Sequence, residues 1–209
     1  MAAKFPEPPT ARELAKHPPV VRIVPAGTLL WRVYFSDTPY RVKWNTFRHF
    51  GPTGSRFDHH EEPQRLQDRG IMYTAIDGEI CLAECFQSTR TIDVDRNGPA
   101  LVGFALTADI ALLDLTSDWP TQAGASMAIN SGPRPRARRW AQAIYEAYPG
   151  LHGIWYASSM AANAPAQALF ERAIRATPDT PVFHRRLCDH ELEPVIEWAG
   201  ERFNYAVAR

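Results

Sequence analysis

Leu29-Leu-Trp-Arg-Val-Tyr-Phe35 is the stretch that decides the fold class of this chain. Aromatic and β-branched residues dominate it, and such a run favours a β-strand. Because side chains alternate along a strand, Leu30, Arg32 and Tyr34 share one face, while Trp31, Val33 and Phe35 share the other. The chain therefore contains a β-sheet, and the neighbouring elements decide the rest of the class.

Outward from this strand, the pattern predicts more short strands and a few helices. We expect a second strand over residues 71–76, a helix from Glu79 to Gln87, and an amphipathic helix from Ala137 to Tyr148. Short strands scattered among helices indicate a single α+β domain rather than regular βαβ alternation. The remaining predictions are strands over 101–106, 110–115, 153–158, 182–187 and 194–198, and a helix over 165–176.

Prolines mark off the N-terminal part of the chain, since residues 1–19 hold five of the 18. Around one short helical stretch, 10–16, this composition is typical of an arm rather than of core. We therefore place an arm at 1–21 and the domain at 22–209. Within the domain, residues 36–70 read as loop and 116–136 as irregular.

Length and composition exclude several classes of protein. A chain of 209 residues that is 45% hydrophobic can bury a core as one domain. Zero formal net charge argues against general attraction to nucleic acid or anionic membrane. No apolar run approaches the roughly 20 residues that span a bilayer, and no signal core or disulfide framework is visible. We expect a soluble cytoplasmic protein.

Arg32 is the first candidate functional residue, because it interrupts an apolar strand. A buried guanidinium must be paired, so a structural salt bridge or a snorkelling arginine is one interpretation. The other is an anion clamp, since its planar fork matches phosphate oxygens. Spacing alone leaves both open.

Glu84 is the second candidate. On the predicted helix it lies away from the apolar stripe of Cys81, Leu82, Cys85 and Phe86. It is either a surface glutamate or a carboxylate that acts as general base, ribose-hydroxyl acceptor or stabiliser of positive charge.

Four more residues have both a structural and a functional interpretation. Tyr73 is a core tyrosine or a side chain that stacks on a planar ring. Arg56 ends the glycine-bearing loop 51–58, which lacks the features of a P-loop. Ser131 and Ser158 are cap or turn residues, or polar contacts in a site, and neither belongs to a nucleophile elbow.

Several clusters are better explained without function. His59-His-Glu-Glu62 matches no zinc spacing and is predicted to be a polar loop. Cys81 and Cys85 are interpreted as core thiols, and the arginines of 134–139 as a solvated face. His184, Cys188 and His190 are discounted as a metal site, so we expect no metal.

Taken in order, these segments resemble the RES domain family, which is named for an arginine, a glutamate and a serine. The resemblance covers about residues 22–200 and rests on an ordered set of short motifs. These are Trp31-Arg-Val-Tyr34, Gly54-Ser-Arg-Phe-Asp58, Ile71-Met-Tyr-Thr-Ala-Ile-Asp77 followed by Glu84, Ser131-Gly132 before the Trp140 helix, and Gly153-Ile-Trp-Tyr-Ala-Ser158.

The resemblance implies an ADP-ribosyltransferase-like fold and a toxin of a bacterial toxin–antitoxin pair. Members of the family consume NAD by hydrolysis or phosphorolysis, some transfer ADP-ribose to protein, and their partner is an Xre-like helix-turn-helix antitoxin. It further implies an NAD pocket lined by a serine and four other residues. The serine is Ser131 or Ser158, and the others are Arg32, Arg56, Tyr73 and Glu84. Of these, the resemblance assigns Arg32, Tyr73, Glu84 and Ser131 to catalysis.

Three rival functions remain at this point. The chain could be a mono-ADP-ribosyltransferase that modifies a cellular protein, a nucleic-acid-binding module that uses residues 134–139, or an inactive interaction protein. The resemblance favours neither direct nucleic-acid nor membrane binding, and it leaves a homo-oligomer open.

Overall fold

In the computed structural model, which describes residues 4–39 and 42–209, a mixed sheet of nine strands forms the centre of the molecule. Helices and a small second sheet flank it, so the predicted α+β class is confirmed. The strands are β1 (Val21–Val24), β2 (Leu29–Phe35), β3 (Arg48–Gly51), β4 (Arg65–Ala75), β5 (Thr91–Asp93), β6 (Pro99–Ala105), β7 (Ile110–Asp114), β8 (Gly153–Ala157), β9 (Pro165–Phe170), β10 (Phe183–Arg186) and β11 (Ala206–Ala208). The helices are α1 (Ala11–Leu14), α2 (Gly78–Cys85), α3 (Trp119–Gln122), α4 (Arg134–Ala147) and α5 (Glu193–Phe203), with 3₁₀ turns at Met127–Asn130, Glu171–Ala176 and His190–Leu192.

The path of the large sheet shows where it opens. Its strand order is β1-β7-β8-β9-β4-β2-β6-β10, and β3 pairs with β4 beside this path. Strand β2 pairs with β6 along its whole length, from Leu29 opposite Ala105 to Phe35 opposite Pro99. It pairs with β4 only where Trp31 lies opposite Ala75. Beyond that point β2 and β4 separate and leave a gap in the sheet.

Alternation along β2 places its side chains in different cores, as predicted. Leu30 and Tyr34 are buried with Phe104 on one face of the sheet. Trp31 and Val33 pack on the other face, where helix α2 lies. The apolar residues of α2 are buried almost all round, since Ile80, Cys81, Leu82 and Ala83 are all buried. This burial fixes the helix that carries Glu84.

Two predicted elements are wrong. Residues 165–176 form strand β9 and a 3₁₀ turn rather than a helix. Residues 194–198 lie in helix α5 rather than in a strand, with Ile196 and Ala199 facing the core at helical spacing. The other predicted strands and helices are confirmed within a few residues, although β4 begins six residues before 71 and α4 three residues before Ala137.

The loop predicted over 36–70 is only partly a loop. It contains strand β3 and the first residues of β4, and its residues 40–41 lie outside the described part of the chain.

The N-terminal segment packs on helix α4 and belongs to the core, contrary to the prediction of a separate arm. Phe5 and Leu14 are buried in the same cluster as Trp140. The Trp140 indole N–H donates to the carbonyl of Pro6 at 2.9 Å. The arm prediction for residues 1–3 lies outside the described residues.

No helix in the described part of the chain is long and apolar enough to cross a membrane.

Candidate functional site

A cavity of about 460 Å³ lies where β2 and β4 separate. Such a volume is within the range of small-molecule sites. Its walls come from both strands, from the loop after β3, from the C-terminal half of α2, and from the start of α4. The lining residues are Val33, Phe35, Thr53, Gly54, Ser55, Arg56, Tyr73, Thr74, Ala75, Cys81, Glu84, Cys85, Gln87, Ser88, Asn130, Arg134, Tyr156 and Ser159.

Glu84 reaches the cavity from helix α2, and its carboxylate is held by Ser158. The Ser158 hydroxyl donates to Oε1 of Glu84 at 2.5 Å. The same hydroxyl oxygen accepts from the backbone N–H groups of Met160 and Ala161 at 3.2 and 3.1 Å. Since both backbone donors occupy the oxygen, its hydrogen is directed at Glu84. Ser158 is fully buried and orients the carboxylate.

Arg56 reaches the cavity from a loop that folds around one buried carboxylate. Asp58 accepts from the backbone N–H and hydroxyl of Thr53 at 2.6 and 2.8 Å, and from Arg48 at 2.8 Å. Burial pushes the pKa of Asp58 upward, but the hydrogen bond from His60 and the charge of Arg48 outweigh it and hold the pKa well below its usual value. A permanently charged Asp58 therefore fixes the loop that presents Arg56.

The guanidinium of Arg56 lines the cavity close to the charge of Arg134. Its Nη1 donates to the carbonyl oxygen of Gly132 at 2.5 Å. Burial and the charge of Arg134 lower the pKa of Arg56, while Glu84 opposes them. Two cations and one anion thus face the same space.

Tyr73 lies near the C-terminal end of β4 and lines the cavity. Within the described residues this buried hydroxyl has no hydrogen-bond partner. Burial raises the pKa of Tyr73 far above the neutral range, so the group stays protonated and can donate to a ligand.

Arg32 is not among the cavity-lining residues. Its Nη1 donates to the backbone carbonyls of Trp44 and Thr46 at 2.7 and 3.3 Å. Burial lowers the pKa of Arg32 to about 10. No carboxylate pairs with it in the described part of the chain, and its Nε has no partner there. Within the described residues the predicted salt bridge is therefore not formed. The guanidinium instead binds backbone carbonyls and holds the segment that follows β2.

Ser131 differs from Ser158 in its surroundings. It is exposed at the end of a 3₁₀ turn and does not line the cavity, whereas its neighbour Asn130 does. The amide of Asn130 donates to the carbonyl of Leu115 at 3.1 Å, which fixes it beside the cavity.

Arg134 and Gln87 also line the cavity, although the sequence pattern singled out neither. Arg134 was grouped with the solvated arginines, yet its Nη2 donates to Oε1 of Gln87 at 2.5 Å inside the cavity. The only available signal for Gln87 was its position three residues after Glu84. The rest of the basic run is at the surface, where Arg136 and Arg139 pair with Glu7.

The histidines of 59–62 are buried, which corrects the prediction of a polar loop. His59 and His60 are both inaccessible, and His59 stacks on Tyr145 with ring centroids 4.4 Å apart. His60 bonds Asp58 and the carbonyl of Arg69.

The thiols are only partly the core groups that were predicted. Cys81 and Cys85 both contribute to the cavity wall, and burial raises the pKa of Cys85 to about 12.

His184 bonds the hydroxyl of Tyr34 at 3.0 Å. Residues 4–39 and 42–209 contain no group of three or more His, Cys, Asp or Glu side chains that could hold a metal ion.

Comparison with known proteins identifies one family and one solved structure. The RES domain family matches residues 29–189. The fold is similar to that of a chain in the crystal structure of the M. tuberculosis MbcT–MbcA toxin–antitoxin complex, with a TM-score of 0.58 and 12% identity over 90% of this chain and 96% of that chain. No curated protein matches the chain.

Proposed function

Because this chain belongs to the RES domain family, we propose that it is the toxin of a bacterial toxin–antitoxin system and that it depletes NAD by cleaving the nicotinamide–ribose bond. The observation that carries the proposal is the position of Glu84. Its carboxylate lines a cavity of about 460 Å³, is oriented by Ser158, and shares the space with Arg56 and Arg134.

The chemistry of NAD matches these charges. When the glycosidic C–N bond breaks, its electron pair goes to the nicotinamide ring, which changes from cationic to neutral. Positive charge then develops on the ribose, and a nearby carboxylate stabilises it, as in glycoside cleavage. Glu84 supplies this charge, and Ser158 keeps it in one orientation.

The cations of the cavity suit the other end of the substrate. Guanidinium groups bind phosphate oxygens with planar, charge-assisted hydrogen bonds. We assign Arg56 and Arg134 to the pyrophosphate of NAD, and Tyr73 to the nicotinamide or its ribose through its ring and free hydroxyl. Arg32 holds the backbone at Trp44 and Thr46 and is given no direct contact with NAD in this proposal. Ser131 is exposed and does not line the cavity, so it has no catalytic role in this proposal.

The acceptor is water or inorganic phosphate in this proposal. Either replaces nicotinamide on the ribose carbon and loses one proton to solvent, which gives ADP-ribose or its phosphate ester. Transfer to a protein side chain would make the chain a mono-ADP-ribosyltransferase.

The test is to incubate the purified protein with NAD and measure nicotinamide release by chromatography, with and without phosphate. We expect release in wild type and none above background in Glu84→Gln. A phosphate-dependent rate identifies phosphorolysis, and a phosphate-independent rate identifies hydrolysis. Intact NAD after prolonged incubation contradicts the proposal, and labelled protein from biotinylated NAD favours the transferase.

The partner proposed for the toxin is an Xre-like helix-turn-helix antitoxin, encoded beside it and acting in the cytoplasm. Support comes from the family and from a similar fold found in a toxin–antitoxin complex. Expression of the chain alone is expected to arrest bacterial growth as intracellular NAD falls, and co-expression of the neighbouring antitoxin is expected to restore both. Growth arrest with unchanged NAD would contradict the NAD-depleting reading.

A further inference from the structure

Gln87 connects the anion and one cation of the cavity. Its amide Nε2 donates to the backbone carbonyl of Glu84 at 2.6 Å and to Oε2 of the same residue at 3.2 Å. Its amide Oε1 accepts from Nη2 of Arg134 at 2.5 Å. One side chain therefore links helix α2 to the start of helix α4 across the cavity wall.

Only a side chain with both a donor and an acceptor can make this link. A carboxylate accepts and cannot donate, whereas a guanidinium donates and cannot accept. A glutamate at position 87 would still bind Arg134 but would repel Glu84, and a lysine would do the reverse. The two partners of Gln87 thus select a neutral amide.

The link keeps two opposite charges apart. Glu84 and Arg134 are separated by a single amide, and no salt bridge involves Arg134 among residues 4–39 and 42–209. If the amide were absent, the two charges could move into a direct ion pair, because opposite charges a few ångströms apart attract strongly in a partly buried site. Such a pair would neutralise both groups.

We infer that Gln87 is a positioning residue that holds Glu84 and Arg134 in separate places and leaves both charges available to the substrate. The inference rests on the proposed function, since it assigns Glu84 to the ribose and Arg134 to the pyrophosphate of NAD. The inference adds that NAD is cleaved only while Glu84 and Arg134 are prevented from pairing with each other.

The closing experiment is a double-mutant cycle on NAD cleavage with Gln87→Ala and Arg134→Gln. Gln87→Ala alone is expected to lower kcat about 10-fold, because Arg134 then pairs with Glu84. In the Arg134→Gln background the same change is expected to lower kcat less than about 3-fold, since the guanidinium that Gln87 holds away from Glu84 is already absent. An equal loss in both backgrounds overturns the inference, because Gln87 then acts only on Glu84 or on the fold.

A binding measurement keeps this result separate from the fate of the proposed function. Calorimetry with ADP-ribose compares Gln87→Glu with Gln122→Glu, a matched control at the exposed end of helix α3. We expect Gln87→Glu to weaken binding about 10-fold or more and Gln122→Glu to leave it unchanged. Wild-type affinity in Gln87→Glu overturns the inference even where NAD is cleaved. Absence of NAD cleavage, with ADP-ribose binding still sensitive to Gln87→Glu, contradicts the proposed reaction and supports the arrangement of charges.

Discussion

At the scale of single residues, Glu84 is expected to act through its charge. Glu84→Gln keeps the shape of the side chain and can still bond Ser158 and a ribose hydroxyl, but it removes the negative charge. Turnover of NAD should fall about 100-fold or more, a loss of about 3 kcal/mol in transition-state stabilisation, while the Kd for NAD changes little. Single-turnover cleavage and calorimetric binding on the same protein measure the two quantities.

The control for this prediction is Glu201→Gln, which makes the same change at an exposed position of helix α5. It should cleave NAD at the wild-type rate. If affinity and turnover of Glu84→Gln fall together and modestly, Glu84 only holds the ribose. Wild-type turnover would remove it from the site.

Arg32 is expected to matter for both the fold and the site. Arg32→Ala removes two charge-assisted hydrogen bonds to the carbonyls of Trp44 and Thr46. The free energy of unfolding should fall by about 2 to 3 kcal/mol, because hydrogen bonds to charged groups contribute about 1.5–3 kcal/mol each and part of this is recovered by water. Urea denaturation measures the loss, and NAD turnover of the folded fraction should also drop. Unchanged stability together with lost NAD binding would mean that Arg32 contacts the substrate directly.

The candidate site could be predicted from the sequence only where one residue type stood out locally. Arg56, Tyr73 and Glu84 carry recognisable motifs, and the structure brings all three to one cavity. Arg134 could not be separated from its neighbours, because the composition of 134–139 does not show which arginine faces inward. Ser131 and Ser158 could be separated only by burial, and burial depends on the packing of distant segments.

At the scale of whole elements, strand β9 shows why local composition fails. Pro165-Ala-Gln-Ala-Leu-Phe170 is rich in helix formers, yet it lies between β8 and β4 and is almost fully buried. Pairing with β8 on one side and β4 on the other overrides the helix propensity of this segment. In α5 the opposite occurred, since Pro194 at the first turn and buried residues at helical spacing outweigh the β-branched residues.

The contribution of α1 to stability, through its packing on α4, can be tested by mutation. Leu14 is fully buried, and the Tyr148 hydroxyl lies 2.9 Å from its carbonyl. Leu14→Ala is expected to lower the free energy of unfolding by about 2–5 kcal/mol, as for other buried leucines. Val182→Ala, at a side chain that is 71% exposed, should change it by less than about 0.5 kcal/mol. Equal effects in urea denaturation would mean that the N-terminal segment does not contribute to the core.

At the scale of the whole molecule, the cavity is a product of sheet topology. Strand β2 follows β6 for its full length and leaves β4 after one residue pair, so the site lies where the sheet divides. The α+β class followed from the order of strands and helices along the chain. The division of the sheet did not, because strand pairing between distant segments has no local signature.

The stability of the whole molecule should depend on pH through one buried histidine. His59 is inaccessible between Tyr145 and Phe170, and its Nε2 lies 3.8 Å from Oε2 of Glu171. Burial lowers the pKa of His59 from 6.5 to about 4, although the neighbouring Glu171 opposes this. The folded state therefore keeps His59 neutral at a pH where the unfolded chain already binds a proton.

The sign of the effect follows from which state binds the proton first. The unfolded chain takes up its proton as the pH falls through 6.5, whereas the folded chain waits until about 4, so stability falls with pH across this window. Between pH 7 and 5 the loss from His59 alone is about 2 kcal/mol. Urea denaturation of wild type should show this slope, and His59→Phe should lack it, since phenylalanine stacks on the same rings and does not titrate. His190→Phe, at a side chain that is 89% exposed, should keep the wild-type slope. An equal slope in His59→Phe and wild type would show that His59 ionises freely in the folded protein.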